Sequence, residues 1–441
     1  MNRYDREMLA LAVPALGTLA VDPLVSTVDT IFVGRLGVVP LAALGINASV
    51  FSFTFVVFNF LAYGTTPLVA REVGRGDRAA AGRVVVQALV LAAGLGLLAL
   101  AALEALAVPV VRLMGASGEV VGPAVEYLRI RALAGPAVLI STAGHGAFRG
   151  YHDTRTPLAV SIGVNAINLV LDPILIFGLG WGLAGAAWAS AVAQWAGAAA
   201  FLWLVFSRRR EELGVEPMLP RPGELLPLLR VGGTLAIRTM SLIGTMTLAT
   251  AVAARVGTVA VAAHQVGAQV WLFLALVVDS IAIAAQAMVA RYRGAGEPAA
   301  AREAGNRLLL WGAGLGLAIG AVFYLIAPVL PRLFTSDPAA IAAVGAILPF
   351  VVFMQPLNAL VFVWDGIFLG AERFRFLAAQ MAASAVAAGI VLLLVVPMGW
   401  GLTGVWWGIV ALMGARAATL GWAWIRPTVT PRPAGGPPAR G

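Results

Sequence analysis

Residues 69–81 read VAREVGRGDRAAA, and residues 289–301 read VARYRGAGEPAAA. They lie 220 positions apart (289 − 69) and share an apolar lead, an arginine, a glycine turn and an alanine run. The same offset relates GRLGVVPLAA (34–43) to ARVGTVAVAA (254–263), VRLMG (111–115) to PRLFT (331–335), and FRGYHDTR (148–155) to FLGAERFR (368–375). WGLAGAAW (181–188) matches WGLTGVWW (400–407) at 219. Matches in nearly every hydrophilic segment at a near-constant spacing mean that the chain is a duplication of one unit, with both copies running the same way.

Between these segments the chain is apolar. Of its 441 residues 60% are hydrophobic and only 12% charged, with a mean hydropathy of +0.91. A globular protein averages nearer 45–50% apolar and about 25% charged. Runs long enough to cross about 30 Å of hydrocarbon recur throughout, which makes this a polytopic membrane protein. Twelve spans are expected, at 7–33, 41–70, 82–108, 123–148, 156–178 and 183–206, then 226–254, 261–290, 303–330, 341–369, 374–396 and 400–425. The organisation that follows is a six-helix lobe over 1–206, a charged, proline-rich linker over 207–225, a second six-helix lobe over 226–425, and a disordered tail over 426–441. The first run, behind Arg3 and Arg6, is too long for a signal-peptide core and lacks a small-residue cleavage site, so it reads as a retained span.

All 30 basic residues are arginine, and the formal charge is +9. Their placement points to topology rather than nucleic acid. Arg71, Arg75, Arg78 and Arg83 follow the second span, Arg149 and Arg155 the fourth, and Arg208, Arg209, Arg210 and Arg221 lie in the linker. Arg291, Arg293, Arg302 and Arg307 follow the eighth span, and Arg373 and Arg375 the tenth. The alternate loops mostly hold one each: Arg35, Arg112, Arg255 and Arg332. The positive-inside rule puts both termini and the linker in the cytoplasm. With no cysteine there is neither disulfide nor thiolate metal site. No phosphate-binding loop or zinc-helix motif is present, which argues against an ATP-driven pump.

A parallel repeat in a membrane is the mark of secondary transporters that work by alternating access; a duplicated receptor or scaffold is the alternative. Acidic residues inside spans are the candidate sites. A carboxylate costs roughly 2.5–3.5 kcal/mol at a helix centre and is functional by default. Asp22 and Asp29 fall in the first span, Asp172 in the fifth, Asp279 in the eighth and Asp365 in the tenth. In NAINLVLDPILIFG (165–178), Asn165, Asn168 and Asp172 share one helical face, and Pro173 withholds the hydrogen bond to the Leu169 carbonyl. Asp22 and Asp29, seven apart, also share a face, with Pro23 beside the former as a hinge. Desolvation favours the protonated carboxyl, as a proton carrier requires. Such a cluster suits a proton relay or a small cation; interhelical glue is the plainer reading. At the repeat offset Asp29 faces Ala249, and Asp172 faces Val391 or Leu392, so a coupling site belongs to the first half alone. His145, which faces Asp365, is a candidate relay or packing residue, and Ser190 and Gln194 share a face that can reach the site.

VDTIFVGRLG (28–37), AAHQV (262–266), AFRGYHDTRTPL (147–158) and NLVLDPILIFGLGWGLAGAAWAS (168–190) together resemble the signatures of the multidrug and toxic compound extrusion (MATE) family. DSIAIAAQAMV (279–289) and VWDGIFLGA (363–371) are similar to its DinF-like branch. The resemblance implies an all-α membrane fold of twelve helices in two pseudo-symmetric lobes arranged in a V. It implies a non-enzymatic antiporter, with no cofactor, exchanging organic cations or amphiphiles for protons or sodium in a bacterial or archaeal plasma membrane. A monomer among lipids is expected, with no nucleic-acid partner. The family's acidic pair falls on Asp29 and Asp172, where Na+ is the alternative to a proton, and its polar partners on Asn168 and Ser190. Where some members carry asparagine this chain has His145. A lipid-linked precursor flippase is the alternative cargo reading; it expects a basic cavity, for which Arg238 is the candidate arginine.

Overall fold

The computed structural model describes residues 2–216, 218–334 and 337–426, and the tail expected over 426–441 lies, beyond Arg426, outside them. Among the described residues the chain is helical, with no strand. It divides into two compact units, one of Ala10–Ala236 and one that joins Ile237 onward to the segment ahead of Ala10.

The first unit is built from α1 (Arg3–Gly34), α2 (Val38–Val56), α3 (Phe60–Arg75), α4 (Arg78–Ala105), α5 (Ala107–Leu113), α6 (Val121–Ala132), α7 (Gly135–Gly150), α8 (Arg155–Pro173) and α9 (Gly182–Trp203). The second contains α10 (Pro222–Val256), α11 (Thr258–Gly294), α12 (Pro298–Ile326), α13 (Leu330–Phe334), α14 (Pro338–Phe353), α15 (Gln355–Gly370), α16 (Phe374–Val395) and α17 (Gly401–Ile425). The unit boundary falls inside α10, and the first turns of α1 pack with the second unit. There Asp5, fully buried, accepts from Arg307 at 2.6 and 2.9 Å and from Trp311 at 2.8 Å.

The opening repeat is one structural device written with two chemistries. After α3, Gly76 adopts φ +77° and Asp77 caps α4 by accepting from the Ala80 amide at 2.8 Å. After α11, Gly296 adopts φ +76°, and Pro298 starts α12 without a side-chain cap. A left-handed residue closing one helix favours glycine, while aspartate or a first-turn proline opens the next.

The duplication reaches the packing. A Cβ on Gly96 would stand 2.4 Å from Pro136 Cα, and one on Gly316 would stand 2.8 Å from Pro356 Cα. Gly146 meets Ala62, and Gly366 meets Ala282; Gly150 meets Val69, and Gly370 meets Val289. Every member of these pairs is displaced by 220, for example 366 − 146. Small residues thus let backbones touch at the same three places in both units, which is how membrane helices pack without a hydrophobic drive between them.

Among the described residues ten helices are long and apolar enough to cross a membrane, or eleven when α14 and α15, bent by 50° at their junction, are taken as one span. The expected fourth span is likewise divided, into α6 and α7 around Leu133 and Ala134. The break recurs 220 residues on, and each second piece carries proline in its first turn, Pro136 and Pro356. Proline there cannot bond back into the preceding helix. Glu126, Arg129 and Arg131 shorten the apolar length of α6 further.

The start of the linker is tied to the first unit. Arg209 reaches Asp153 at 2.5 Å and Glu212 at 2.6 Å, and Tyr151 donates to the Leu213 carbonyl. Gly214 (φ +62°) lies so near α4 that a Cβ on Gly82 would fall 2.1 Å from its carbonyl oxygen.

Candidate functional site

Two face-sharing pairs meet between α1 and α8. Asn165 donates to Asp22 at 2.8 Å, and Asn168 reaches Asp29 at 3.3 Å. Both sets of numbers rise together, so α1 and α8 run in the same direction. Asn168 also donates to Asp172 at 2.7 Å.

Asp172 is fully buried and its Oδ1 accepts from no donor among the described residues, while Asp29 shares the Asn168 amide with it. Two ionised carboxylates about 4 Å apart repel by about 4 kcal/mol at an effective dielectric of about 20. A proton shared between the pair, or a bound cation, removes that repulsion and gives the orphaned oxygen a partner. The positive charge of Arg131 acts on both carboxyls.

Local sequence makes these positions special. Pro173 ends the α-helical part of α8 one residue after Asp172, and Ile174–Gly178 winds as a π-helical turn, a form that collects at functional sites. In α1, Pro14 cannot bond to the Ala10 carbonyl, and Thr154 donates to that oxygen instead at 3.4 Å. Pro23 withholds the corresponding bond from Leu19.

A cavity of about 700 Å³ opens on Asp29 and on the Asn168 that bridges it to Asp172. Asp29, Asn168, Ser190, Phe51, Tyr127 and Arg131 line it, and its volume lies in the range of small-molecule sites. A second cavity, of about 410 Å³, is lined by Asn59, Tyr63, Ser141, Thr142, His145 and Arg149. Asp22, Asn165 and Gln194 line both. The expected cluster of Asp29, Asp172, Asn168, Asn165, Ser190, Gln194, Asp22 and Pro23 is therefore gathered around adjoining spaces. His145 is in the smaller one, its ring edge-on to Phe201 at 5.1 Å.

Asp279 and Asp365 are elsewhere, in the second unit. Asp279 is half-buried in α11. Asp365, on α15, is held between Arg238 of α10 (2.7 Å) and Arg416 of α17. Arg416 was legible as an arginine inside the twelfth span and was not singled out. Tyr127 and Arg131 were also missed. Their signal was the pair Arg129 and Arg131 at the start of the expected fourth span, a poor place for lipid-facing charge.

The MatE family model matches twice, over residues 14–174 and 235–395. The chain belongs to the MATE family. The two matches fall on the two copies of the repeat. Protein DETOXIFICATION 44, chloroplastic, of Arabidopsis thaliana is 35% identical over 96% of this chain and 82% of its own length. A probable multidrug resistance protein NorM of Thermotoga maritima is 27% identical over 76% of this chain and 73% of its own. The crystal structure of a MATE protein in the bent conformation superposes with a TM-score of 0.89, covering 96% of this chain and 95% of that one at 24% identity. The MATE protein described here is thus a multi-pass membrane protein of a transporter family with the family's two-lobe fold, and its relatives include proteins named as probable multidrug resistance proteins.

Proposed function

We propose that this MATE protein is a proton-coupled antiporter that exports cationic or amphipathic organic compounds by alternating access. The observation that carries the reading is the single amide of Asn168 bridging Asp29 and Asp172 at the wall of a cavity of about 700 Å³. In this scheme the pair takes up a proton when it faces outside and gives it up toward the cytoplasm. The charge state of the pair sets whether an organic cation is held or released. Ser190 and Gln194 supply polar contacts to cargo, Phe51 and Tyr127 apolar ones, and Pro23 and Pro173 are the hinges. Sodium at Asp29 and Asp172 is the competing coupling ion. Both termini are cytoplasmic in this proposal, the protein works as a monomer, and the host membrane is a bacterial or archaeal plasma membrane.

The ion pairing of Arg238 with Asp365 supports organic cations over a phosphate-bearing lipid precursor, because it engages the arginine that the flippase reading would need. The test is transport of an ethidium-like cation by purified protein in proteoliposomes, with proton and sodium gradients imposed separately. Transport driven by the proton gradient and lost in Asp172→Asn is expected. Transport driven by sodium alone, or full activity of Asp172→Asn, defeats the reading.

A further inference from the structure

Resting on proton coupling at Asp29 and Asp172, we infer that Asp22 is a second proton station, which carries the proton between that pair and the smaller cavity. The inference stands on a juxtaposition. Asp22, Asn165 and Gln194 are shared by the two cavities, and the Asp22–Asn165 hydrogen bond of 2.8 Å lies at their junction. On one side are Asp29, Tyr127 and Arg131, with Asp172 behind them; on the other are Tyr63, His145 and Arg149. Arg149 ends α7 beside the loop of Arg155, which by its arginines belongs to the cytoplasmic face.

The chemistry of the two acidic positions differs as a relay needs. Asp172 is fully buried and pairs with Asp29, whereas Asp22 is exposed at the cavity wall with one amide donor. A buried pair stores a proton, and a solvated carboxyl hands it to water. Pro23 leaves the Leu19 carbonyl without its helix donor, and Leu19 lines the smaller cavity, so that wall offers an acceptor to water within one turn of Asp22. Serine, threonine and asparagine side chains continue the polar lining toward Arg149. The step balances: the proton leaves the Asp29–Asp172 carboxyls, passes through water to the Asp22 carboxylate, and leaves Asp22 for water in the smaller cavity. No other bond forms or breaks. The second unit has Leu242 at the position of Asp22, so it offers no equivalent carboxyl there.

The test compares wild type, Asp22→Asn and Asp22→Glu in proteoliposomes under a proton gradient, in H2O and in D2O. Expected is a loss of about tenfold in transport rate for Asp22→Asn, with a larger H2O/D2O rate ratio because proton transfer has become limiting. Asp22→Glu returns both toward wild type. Asn165→Ala, which keeps the carboxyl and removes its donor, slows transport and raises the ratio as well, and serves if Asp22→Asn fails to insert. A full rate in Asp22→Asn, or a slow one with the wild-type H2O/D2O ratio, overturns the relay and leaves proton coupling standing. A wild type that no proton gradient drives overturns the coupling reading itself.

Discussion

Asn168 donates to Asp172 at 2.7 Å and approaches Asp29 at 3.3 Å from the same amide nitrogen, so one side chain of α8 ties together carboxyls from two helices. Removing it takes the buried Asp172 carboxyl's donor away while leaving the carboxyl in place. Hydrogen bonds to charged groups are worth roughly 1.5–3 kcal/mol. Asn168→Leu is therefore expected to lower proton-driven transport by roughly 10- to 150-fold. Initial rates in proteoliposomes at equal protein incorporation check it; a rate within about twofold of wild type would show that the bridge does not matter.

The repeated close contacts predict which glycines matter. A Cβ on Gly146 would lie 2.8 Å from Ala62 Cα, and one on Gly366 would lie 2.3 Å from the Ala282 carbonyl oxygen. Backbone has to move in both cases, at a cost of about 1–3 kcal/mol or more. Gly146→Ala and Gly366→Ala should each lower the melting temperature in detergent. Gly94 and Gly314, another pair at the 220 offset, have nothing within 4 Å of a built Cβ. Alanine there should be neutral or stabilising by up to about 1 kcal/mol, as in any helix interior. Equal melting shifts at all four sites would refute the packing account.

The linker contact predicts a pH dependence. Burial works to raise the Asp153 carboxyl, but hydrogen bonds from Thr156 and Arg209, together with the Arg209 charge, outweigh it and hold the group below its ordinary value. Arg209, raised by its bonds to Glu212 and Asp153, stays charged. A carboxyl depressed in the folded state stabilises it above the unfolded pKa of about 3.9, and that contribution is lost as pH falls through the folded value. The anchoring of residues 209–215 should thus be constant from neutral pH down to about 4 and weaken below it. Hydrogen exchange of the Leu213 to Val215 amides, followed against pH, reads this directly. Asp153→Asn should give the weakened state already at neutral pH; an unchanged profile in that variant would sink the assignment.

The sequence is most informative where the duplication repeats a turn and least where it repeats only apolar residues. The offset seen in VAREVGRGDRAAA becomes a matched glycine turn, a matched break before Pro136 and Pro356, and matched glycine contacts. Asp29, Asp172 and Asn168 were legible because helical spacing places them on single faces and ionisation in lipid needs a reason. Arg131 and Tyr127 were not, since α6 carries three charged residues and its apolar pattern does not say which of them turns inward. Nor could spacing reveal that Asp5 is buried against Arg307, a partner 302 residues away. Asp365 looked like Asp172, an acid in a greasy helix. What separates them is the neighbour: a second carboxyl for one, two arginines for the other.

That difference makes Asp365 a structural residue by expectation. Its carboxylate is buried with Arg416, which is 1% exposed, and accepts from Arg238 at 2.7 Å. Neutralising it removes the negative charge that offsets two guanidinium groups, and breaking a buried pair from one side costs about 3–5 kcal/mol. Asp365→Asn should therefore melt well below wild type, and Asp365→Asn with Arg416→Met should recover part of the loss, because the second change removes one of the two positive charges no longer offset. The ion that drives transport should be the same in whatever fraction of the double variant folds. Thermal unfolding of the single and double variants, with gradient-driven transport of the double, separates this from a coupling role. A single variant as stable as wild type but no longer driven by its ion would place Asp365 in the coupling machinery instead.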